Sequence, residues 1–365
     1  MKTFDQIFES TLMVTAQAPG RVNLLGEHTD YNGGFVLPTA ISQKTTVQFG
    51  INNLDSFRLY SASLNKNVTF NLKNPPKQHF ATYLYGCLKE IEALGIKIPF
   101  LDIFVSSNVP IGVGVSSSAA LEVATLRALR KLLNLSIDDV TIAKLAQQAE
   151  IKYAGVNCGI MDQMASSLAD TDHMLFMDTQ SLEVKLIALP LDTEILIIDS
   201  GVSRTLASSK YNERRQECDT AAQMLHIKGL RNIIDPATIE ELPAPFRERA
   251  RHVISENNRV LEASKGINAI NFGRLMNASH ASLSIDYQVS IPQLDLLVAF
   301  LQNHQDVFGA KLTGAGFGGA CVALCKKNSA FSVSATVIER FNGLGHHGKL
   351  IMPSNDDLTE NAKPH

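Results

Sequence analysis

Charged, apolar and glycine residues are interleaved in one short stretch near the N-terminus, residues 20–34. Its ionisable members are Arg21, Glu27, His28 and Asp30, with valine and leucine among them. Their spacing fits neither the period of a helix nor the alternation of a strand. A solvated loop can collect the same charges, but seldom with branched apolar residues between them. We therefore interpret the stretch as a half-buried loop that presents carboxylates and a guanidinium to a polyhydroxylated ligand.

Length and composition limit the classes of protein that this chain can belong to. The 365 residues predict two domains, and a hydrophobic fraction of 45% is enough for packed cores. The 33 basic and 36 acidic residues are interspersed, so no basic stripe predicts nucleic-acid binding. The mean hydropathy is +0.03, and no apolar stretch approaches the roughly 18 residues that span a bilayer. Residues 1–10 lack the apolar run of a secretory signal, so we expect neither a nucleic-acid nor a membrane partner.

The cysteine pattern predicts free thiols and a cytoplasmic location. The chain has five cysteines at wide spacings and no Cys-x-x-Cys pair, which is typical of a reducing compartment. Cys321 and Cys325 share one face of a predicted strand and are expected to be small core residues. The ten histidines form no His-x-x-x-His pair, so we expect no zinc site.

The first half of the chain alternates predicted strands and helices. β-Branched and aromatic content predicts strands at 45–49, 57–60, 68–70 and 101–105. Apolar residues at helical spacing predict a helix over 118–133. Ser136 is expected to cap a second helix, with Asp138 and Asp139 in its first turn, that runs to about Tyr153.

The second half is richer in long helices, and prolines punctuate it. The sequence predicts strands at 183–189, 194–199, 310–313 and 320–325. It predicts helices at 206–225, 246–263, 272–283 and 293–301, and one more before Phe341. The change from alternating strands and helices to long helices predicts a domain boundary near residue 180. We expect an α+β protein with mixed sheets flanked by helices, domains at 1–180 and 181–365, and the active site between the domains.

A glycine- and serine-rich segment, 109–120, follows a predicted strand and opens a predicted helix. Glycines allow the backbone to approach a ligand closely, and the first amides of a helix favour an anion. The residues expected to contact such an anion are Gly112, Gly114, Ser116, Ser117, Ser118 and Ala119. The simpler alternative is a strand-to-helix connection with serine caps. The segment lacks the Gly-Lys-Ser/Thr of a Walker loop.

A carboxylate in an apolar setting marks a second candidate position. Asp162 is flanked by Ile160, Met161 and Met164, and such a group needs a partner. Arg21 is the natural partner, because a guanidinium can hold an ionised aspartate and still donate to an oxygen of the ligand.

A third segment, 311–320, contains a Gly-x-Gly-x-x-Gly string. A dinucleotide site is a weak interpretation, because predicted strand residues follow the glycines rather than a helix. A glycine-rich β-turn is the simpler alternative.

Three segments, 18–34, 109–120 and 311–320, resemble in order the signature motifs of the galactokinases, which belong to the superfamily that includes homoserine, mevalonate and phosphomevalonate kinases (GHMP kinases). The resemblance runs from about Ala18 to Lys326 and implies a two-domain GHMP-kinase-like fold. It also implies ATP-dependent phosphorylation of the C1 hydroxyl of galactose, with Mg²⁺ as cofactor. Galactose and ATP are then the small-molecule partners, and the third motif closes over the phosphates and the sugar.

The resemblance assigns roles residue by residue. Asp162 would be the base beside the reacting hydroxyl, with Arg21 steadying developing charge. Ser118 and Glu150 would hold Mg²⁺, which prefers hard oxygen ligands and phosphates. The sugar would be bound by Glu27, His28, Asp30, Tyr211 and the backbone at Gly159. Phe80 and Tyr83 would pack on adenine.

This chain departs from the family pattern in small ways. Val115 replaces a usual leucine, Ala315 replaces a frequent glycine, and Phe80 stands where tryptophan is common. For Phe80 a plain core position is the alternative. Other substrates, N-acetylgalactosamine or arabinose, and a non-catalytic sugar sensor are the alternative functions. The serines of segment 109–120 are intact, and Arg21 and Asp162 are both present, which favours an active kinase over a sensor.

Overall fold

The computed structural model describes residues 2–203 and 207–354, with the backbone alone at 207–209 and 236. Contacts divide the chain into two compact units. The first unit contains Gln43–Pro110, Ser116–Leu168 and the described residues up to Arg21. The second contains Val22–Ser42, Ile111–Val115 and the described residues from Ala169 onward. This division differs from the predicted one at residue 180, because segments that come early in the sequence pack with the later chain.

The described residues form strands β1 to β12 and helices α1 to α10. The strands are Val14–Asn23, Phe35–Val36, Pro38–Ile51, Phe57–Ser61, Lys66–Phe70, Leu101–Ser107, His173–Asp178, Val184–Ala188, Thr193–Asp199, Val307–Leu312, Ala320–Lys326 and Lys349–Met352. The helices are Phe4–Ile7, His79–Ala93, Ser117–Leu132, Asp139–Ala149, Met161–Leu168, Ala207–Met224, Phe246–Ala263, Ala269–Ile285, Pro292–Gln302 and Ala330–Gly343. A π-helical turn at Glu150–Ala154 continues α4, and a 3₁₀ turn lies at Asp30–Asn32.

Three sheets organise the two units. The first unit is built on the sheet β1-β3-β6-β4-β5, in which β4 and β6 are parallel while β3–β6 and β4–β5 are antiparallel. The second unit contains the antiparallel sheet β10-β11-β9-β12 and the smaller sheet β2-β7-β8. Mixed sheets with helices confirm the predicted α+β class.

Each unit has its own apolar core. In the first unit, Val47 and Phe49 of β3 pack with Leu84 and Leu88 of α2, and all four are fully or almost fully buried. In the second, residues from β9, β10 and β11 pack with α7, α9 and α10, and the two cysteines of β11 are buried among them. Burying apolar surface in this way is the main favourable term in folding. All five cysteines are free thiols, as predicted, although Cys158 is only half-buried.

The predicted strands and helices are confirmed with shifted ends, but several elements differ. The helix α4 begins at Asp139, and Asp138 rather than Ser136 caps it, because the Asp138 carboxylate accepts from the amide of Thr141. Residues up to Asn23 of the predicted loop belong to β1. The sequence patterns did not predict the short elements α1, α5, β2, β7 and β12, nor the helix α2. Short elements carry few periodic positions and so give a weak signal.

Candidate active site

Asp162 lies in the first turn of α5 and is held by two residues of the first unit. The Arg21 side chain, at the end of β1, donates to Oδ1 from Nε at 2.8 Å and from a terminal nitrogen at 2.6 Å. Ser116 donates its hydroxyl to Oδ2. The Arg21 side chain is 4% exposed, whereas Asp162 is 31% exposed, so the carboxylate is fixed from one side and accessible from another. The predicted Arg21–Asp162 pairing is confirmed, although both nitrogens meet one oxygen instead of forming a fork.

Two buried glutamates stand close to this aspartate. Gln163 Nε2 donates to Glu150 Oε2 at 2.6 Å and reaches Glu122 Oε2 at 3.3 Å. Burial, and then the neighbouring Asp162 charge, raises the pKa of Glu150 to about 7, while a hydrogen bond from Ser118 opposes the shift. Burial and the charge of Glu150 raise the pKa of Glu122 well above its usual range. The site therefore concentrates carboxylates that gain from a cation.

The serines of segment 109–120, which we call the phosphate loop, lie at the start of helix α3. Ser116 precedes the helix in the left-handed conformation (φ 59°), which is uncommon for a residue other than glycine. The first helical hydrogen bond joins Ala120 N to Ser116 O at 3.1 Å, so the amides of 117–119 precede it. Such amides and the helix dipole favour an anion. Gly112, Gly114 and Val113 lie in the second unit, where the Ala320 amide donates to Val113 O at 2.9 Å.

The sugar-signature loop, which is the part of segment 18–34 that follows β1, is anchored by one face of α7. His252 Nε2 lies 3.0 Å from Glu27 O, and Glu256 accepts from the Gly26 amide at 2.8 Å. Asn257 accepts from the Phe35 amide at 2.9 Å. Gly26 has φ +94°, and a Cβ there would lie 2.5 Å from Phe35 O, so only glycine fits. The loop conformation is thus imposed by side chains more than 200 residues away in sequence.

Glu27 is buried and is held by the third motif. Its Oε1 accepts from Lys311 Nζ at 3.1 Å and from the Gly314 amide at 2.8 Å. The Glu27 side chain is 2% exposed and the Lys311 side chain is 0% exposed. Gly314 has φ +80°, and a Cβ there would lie 2.8 Å from Gly114 O. The third motif therefore packs against the glycines of the phosphate loop while it holds the sugar signature. A strand follows these glycines, which excludes the dinucleotide interpretation.

His28 lies in an aromatic cluster of the second unit. Its ring centroid is 5.6 Å from that of Tyr211, 4.8 Å from that of Tyr287 and 5.8 Å from that of Tyr31. Tyr211, predicted as a sugar ligand, thus stands beside His28. Asp30 opens the 3₁₀ turn of the same loop and is partly exposed.

The remaining predicted residues lie in the first unit. Phe80 and Tyr83 are on α2 and half-buried, and Phe80 packs partly on the core. Burial and then the charges of Glu150 and Glu122 raise the pKa of Tyr83. Gly159 is buried shortly before α5.

The sequence patterns did not reveal several residues that surround Asp162 or the sugar-signature loop. They are Glu122, His252, Glu256, Asn257 and Tyr287, together with the pairing of Lys311 and the contact of Ser116 with Asp162. The available signal was polar residues at helical spacing on α7, where a buried face would otherwise be apolar. Contacts over such sequence separations leave no local pattern.

Comparison with known proteins agrees with this geometry. Family models for the GHMP kinases N terminal domain, the galactokinase galactose-binding signature and the GHMP kinases C terminal match residues 82–170, 2–50 and 260–343. The chain is 43% identical to a galactokinase of Roseiflexus sp. (strain RS-1) over 329 residues, covering 87% of this chain and 84% of that protein. It is 42% identical to a galactokinase of Thermosipho africanus (strain TCF52B) over 325 residues, covering 87% and 90%.

Solved structures agree at the level of the fold and of the family. The structure of Lactococcus lactis galactokinase complexed with galactose superposes with a TM-score of 0.85 at 31% identity, covering 92% of each chain. The mevalonate kinase of Methanococcus jannaschii shares the fold, with a TM-score of 0.66 at 23% identity and coverage of 93% and 98%. The chain belongs to the galactokinase family of the GHMP kinases and is a sugar kinase.

Two further findings bear on ligands and membranes. Within residues 2–203 and 207–354, no three His, Cys, Asp or Glu side chains converge as a metal-binding group. None of the helices described there is long and apolar enough to cross a bilayer.

Proposed function

We propose that the protein transfers the γ-phosphoryl group of ATP to the C1 hydroxyl of galactose, giving galactose 1-phosphate and ADP. The observation that carries the proposal is Asp162, which is accessible but clamped by Arg21 and by the first serine of the phosphate loop. The oxygen of the C1 hydroxyl forms a bond to the γ-phosphorus as the bridging bond to the β-phosphate breaks. The hydroxyl proton passes to Asp162, and Arg21 stabilises the charge that develops. Phosphoryl transfer depends mostly on positioning and charge neutralisation, so the clamp matters as much as the base.

The sugar is recognised by the signature loop and its neighbours. Asp30 and His28 supply an acceptor and a ring nitrogen, and Tyr211 packs against His28. Glu27 contributes through the loop that it fixes to Lys311.

Mg²⁺ would be held by Glu150 and Ser118. The residues present fit this ion, because a carboxylate whose pKa is raised by burial and by the Asp162 charge, and a hydroxyl bonded to it, are stabilised by a hard cation. Mg²⁺ typically takes one or two carboxylates and fills its shell with phosphates and water, so a fuller protein cage is not required. When bound with ATP it neutralises phosphate charge.

ATP would lie with its phosphates on the amides at the start of α3 and with its adenine near Phe80 and Tyr83. A cytoplasmic location suits five free thiols.

Sugar turnover tests the proposal. The purified protein is given ATP and Mg²⁺ with galactose, glucose, N-acetylgalactosamine or arabinose, and the sugar phosphate and ADP are measured. We expect galactose to exceed glucose by at least about tenfold in kcat/KM, roughly 1.4 kcal/mol of transition-state binding, because a site built to pair a hydroxyl rejects its epimer. Asp30→Ala should raise KM for galactose far more than KM for ATP. Equal use of glucose and galactose, or no turnover of galactose, would overturn it.

A further inference from the structure

One side chain beside Asp162 contacts both of the buried glutamates described above. Gln163 is the next residue of α5 and is fully buried. Its Nε2 donates to Glu150 Oε2 at 2.6 Å and lies 3.3 Å from Glu122 Oε2. A side-chain amide carries two N–H donors on this nitrogen, so one glutamine can meet two carboxylates at once. All four residues belong to the first unit.

Three helices meet at this amide. Helix α5, which carries Asp162 and Gln163, packs against α3 and α4. Glu122 lies on α3, at whose start the phosphate loop ends, and Glu150 opens the π-helical turn that continues α4. Such turns are frequent at functional sites. The amide therefore ties the candidate metal carboxylate to the helix of the candidate base and to the helix of the phosphate loop.

The donors of Gln163, and not its acceptor, set the orientation of the amide. Within residues 2–203 and 207–354, Gln163 Oε1 is buried and has no hydrogen-bond partner. Buried polar side chains are normally hydrogen-bonded, so an exception calls for an explanation. If the amide were turned over, its oxygen would face the carboxylate of Glu150, which in its ionised form only accepts. The side chain thus serves the carboxylates while its own oxygen stays unpaired.

The glutamine is also neutral, unlike the partner of another buried glutamate in the same unit. Lys152 Nζ lies 3.0 Å from Glu90 Oε1 and balances its charge. Gln163 fixes an oxygen of Glu150 with an N–H but adds no positive charge. Carboxylates that bind metal ions are commonly held by such hydrogen bonds, which orient the ligand.

We propose that Gln163 is a positioning residue for Mg²⁺ binding, because its amide fixes one oxygen of Glu150 without cancelling the charge that a cation needs. Mg²⁺ demands near-ideal geometry, so a carboxylate that turns freely binds it less well. The inference rests on the proposed function, in which Glu150 and Ser118 hold the ion.

Metal binding without turnover tests the assignment. Mn²⁺, which prefers the same oxygen ligands, is titrated into protein saturated with a non-hydrolysable ATP analogue, and free Mn²⁺ is measured by electron paramagnetic resonance. Gln163→Met keeps the length of the side chain but removes both N–H donors. We expect its Kd for Mn²⁺ to rise about tenfold, the lower end of the effect typical of residues that hold metal ligands. Gln302→Met is the matched control and should leave this Kd unaltered, because the Gln302 amide donates to the backbone carbonyl of Ala310 in the second unit, at 2.8 Å.

A second variant tests the same point if the loss of both donors unfolds the protein. Gln163→Lys keeps a donor beside the two carboxylates but adds a positive charge, so it should fold and still weaken Mn²⁺ binding at least about tenfold. Affinity for the ATP analogue without metal should stay unchanged in Gln163→Met.

Three results would overturn the proposal. They are a folded Gln163→Met protein with an unaltered Kd for Mn²⁺, a Gln163→Lys protein that binds Mn²⁺ normally, and an equal loss of metal-free nucleotide affinity, which would show a general distortion of the phosphate loop. None of these measurements needs a sugar, so a failure of the proposed galactose turnover is detected separately.

Discussion

The surroundings of Asp162 and those of the sugar-signature loop differ in charge balance. The first region has an excess of carboxylates, whereas the second pairs its carboxylates with cations. Around Asp162, two further carboxylates contact the amide of Gln163, and the guanidinium that contacts this group belongs to Arg21. Around the signature loop, each buried carboxylate has its own cation. Those pairs are Glu27–Lys311 and Glu256–Arg259, and the half-buried Asp178 pairs with Arg231.

This difference in charge balance corresponds to a difference in ligand. An excess of negative charge is stabilised by a metal ion that arrives with phosphates, so the first group is expected to change on binding. A loop whose buried carboxylate is paired suits a neutral polyol, which is recognised by hydrogen-bond geometry and needs a rigid frame. We propose that the unbalanced carboxylates serve phosphoryl transfer and that the balanced pairs hold the sugar-signature loop.

The largest effect is expected at Asp162. Asp162→Asn keeps the shape but removes the proton acceptor, so kcat should fall on the order of 10²–10⁴ while galactose binding largely survives. Steady-state kinetics with a direct binding measurement separate the two. Asp139→Asn is the control, since Asp139 forms a similar pair with Arg130 on the surface of the first unit. A folded Asp162→Asn protein with near-normal kcat would show that the clamp alone carries catalysis.

The balanced region is tested by removing one charge. Lys311→Met leaves Glu27 as an uncompensated buried carboxylate, so the free energy of unfolding should fall by about 3–5 kcal/mol. Denaturant titration measures the change. Lys326→Met, which breaks an exposed pair with Asp306, should cost at most about 1 kcal/mol. The double variant Glu27→Gln with Lys311→Met should recover part of the loss, and its failure to do so would mean that Lys311 acts through packing alone.

The two regions also differ in how far the sequence reveals them. Arg21, Asp162 and the serines lie in short motifs whose composition is unusual, so residue types and spacing predicted their grouping. The frame of the signature loop could not be predicted, because His252, Glu256 and Tyr287 look like ordinary members of amphipathic helices or their ends. The role of His252 and Glu256 depends on which face of α7 meets the loop, and tertiary packing decides that. The helix start at Asp138 was missed for a smaller reason, since two capping residues two positions apart compete.

The pH dependence of the unfolding free energy tests whether His252, which contacts the sugar-signature loop, is buried in its neutral form. Burial lowers the pKa of His252 to about 4, against about 6.5 in an unfolded chain. Between these values the unfolded chain binds more protons, so stability falls as the pH drops from about 6.5 to 4, by on the order of 3 kcal/mol. His280, whose pKa is also lowered to about 4 by burial, contributes in the same window. We therefore expect His252→Gln to remove its own share of this loss, on the order of 3 kcal/mol, from the pH dependence of the unfolding free energy. An unchanged slope would mean that His252 is not buried in its neutral form.

The smallest effect concerns the unbalanced carboxylates. Glu150→Gln and Ser118→Ala should each weaken the apparent affinity for Mg²⁺ about 10- to 100-fold, which is typical for altered metal surroundings, and excess Mg²⁺ should partly restore the rate. Initial rates against free Mg²⁺ at saturating ATP and galactose measure this. Glu90→Ala is the matched control, because Glu90 is also buried in the first unit but is paired with Lys152 at 3.0 Å. If Glu90→Ala weakened Mg²⁺ as much as Glu150→Gln does, charge balance would not distinguish the two kinds of carboxylate. If only Glu150→Gln and Ser118→Ala do so, the excess charge beside Asp162 is what prepares that group for the metal ion.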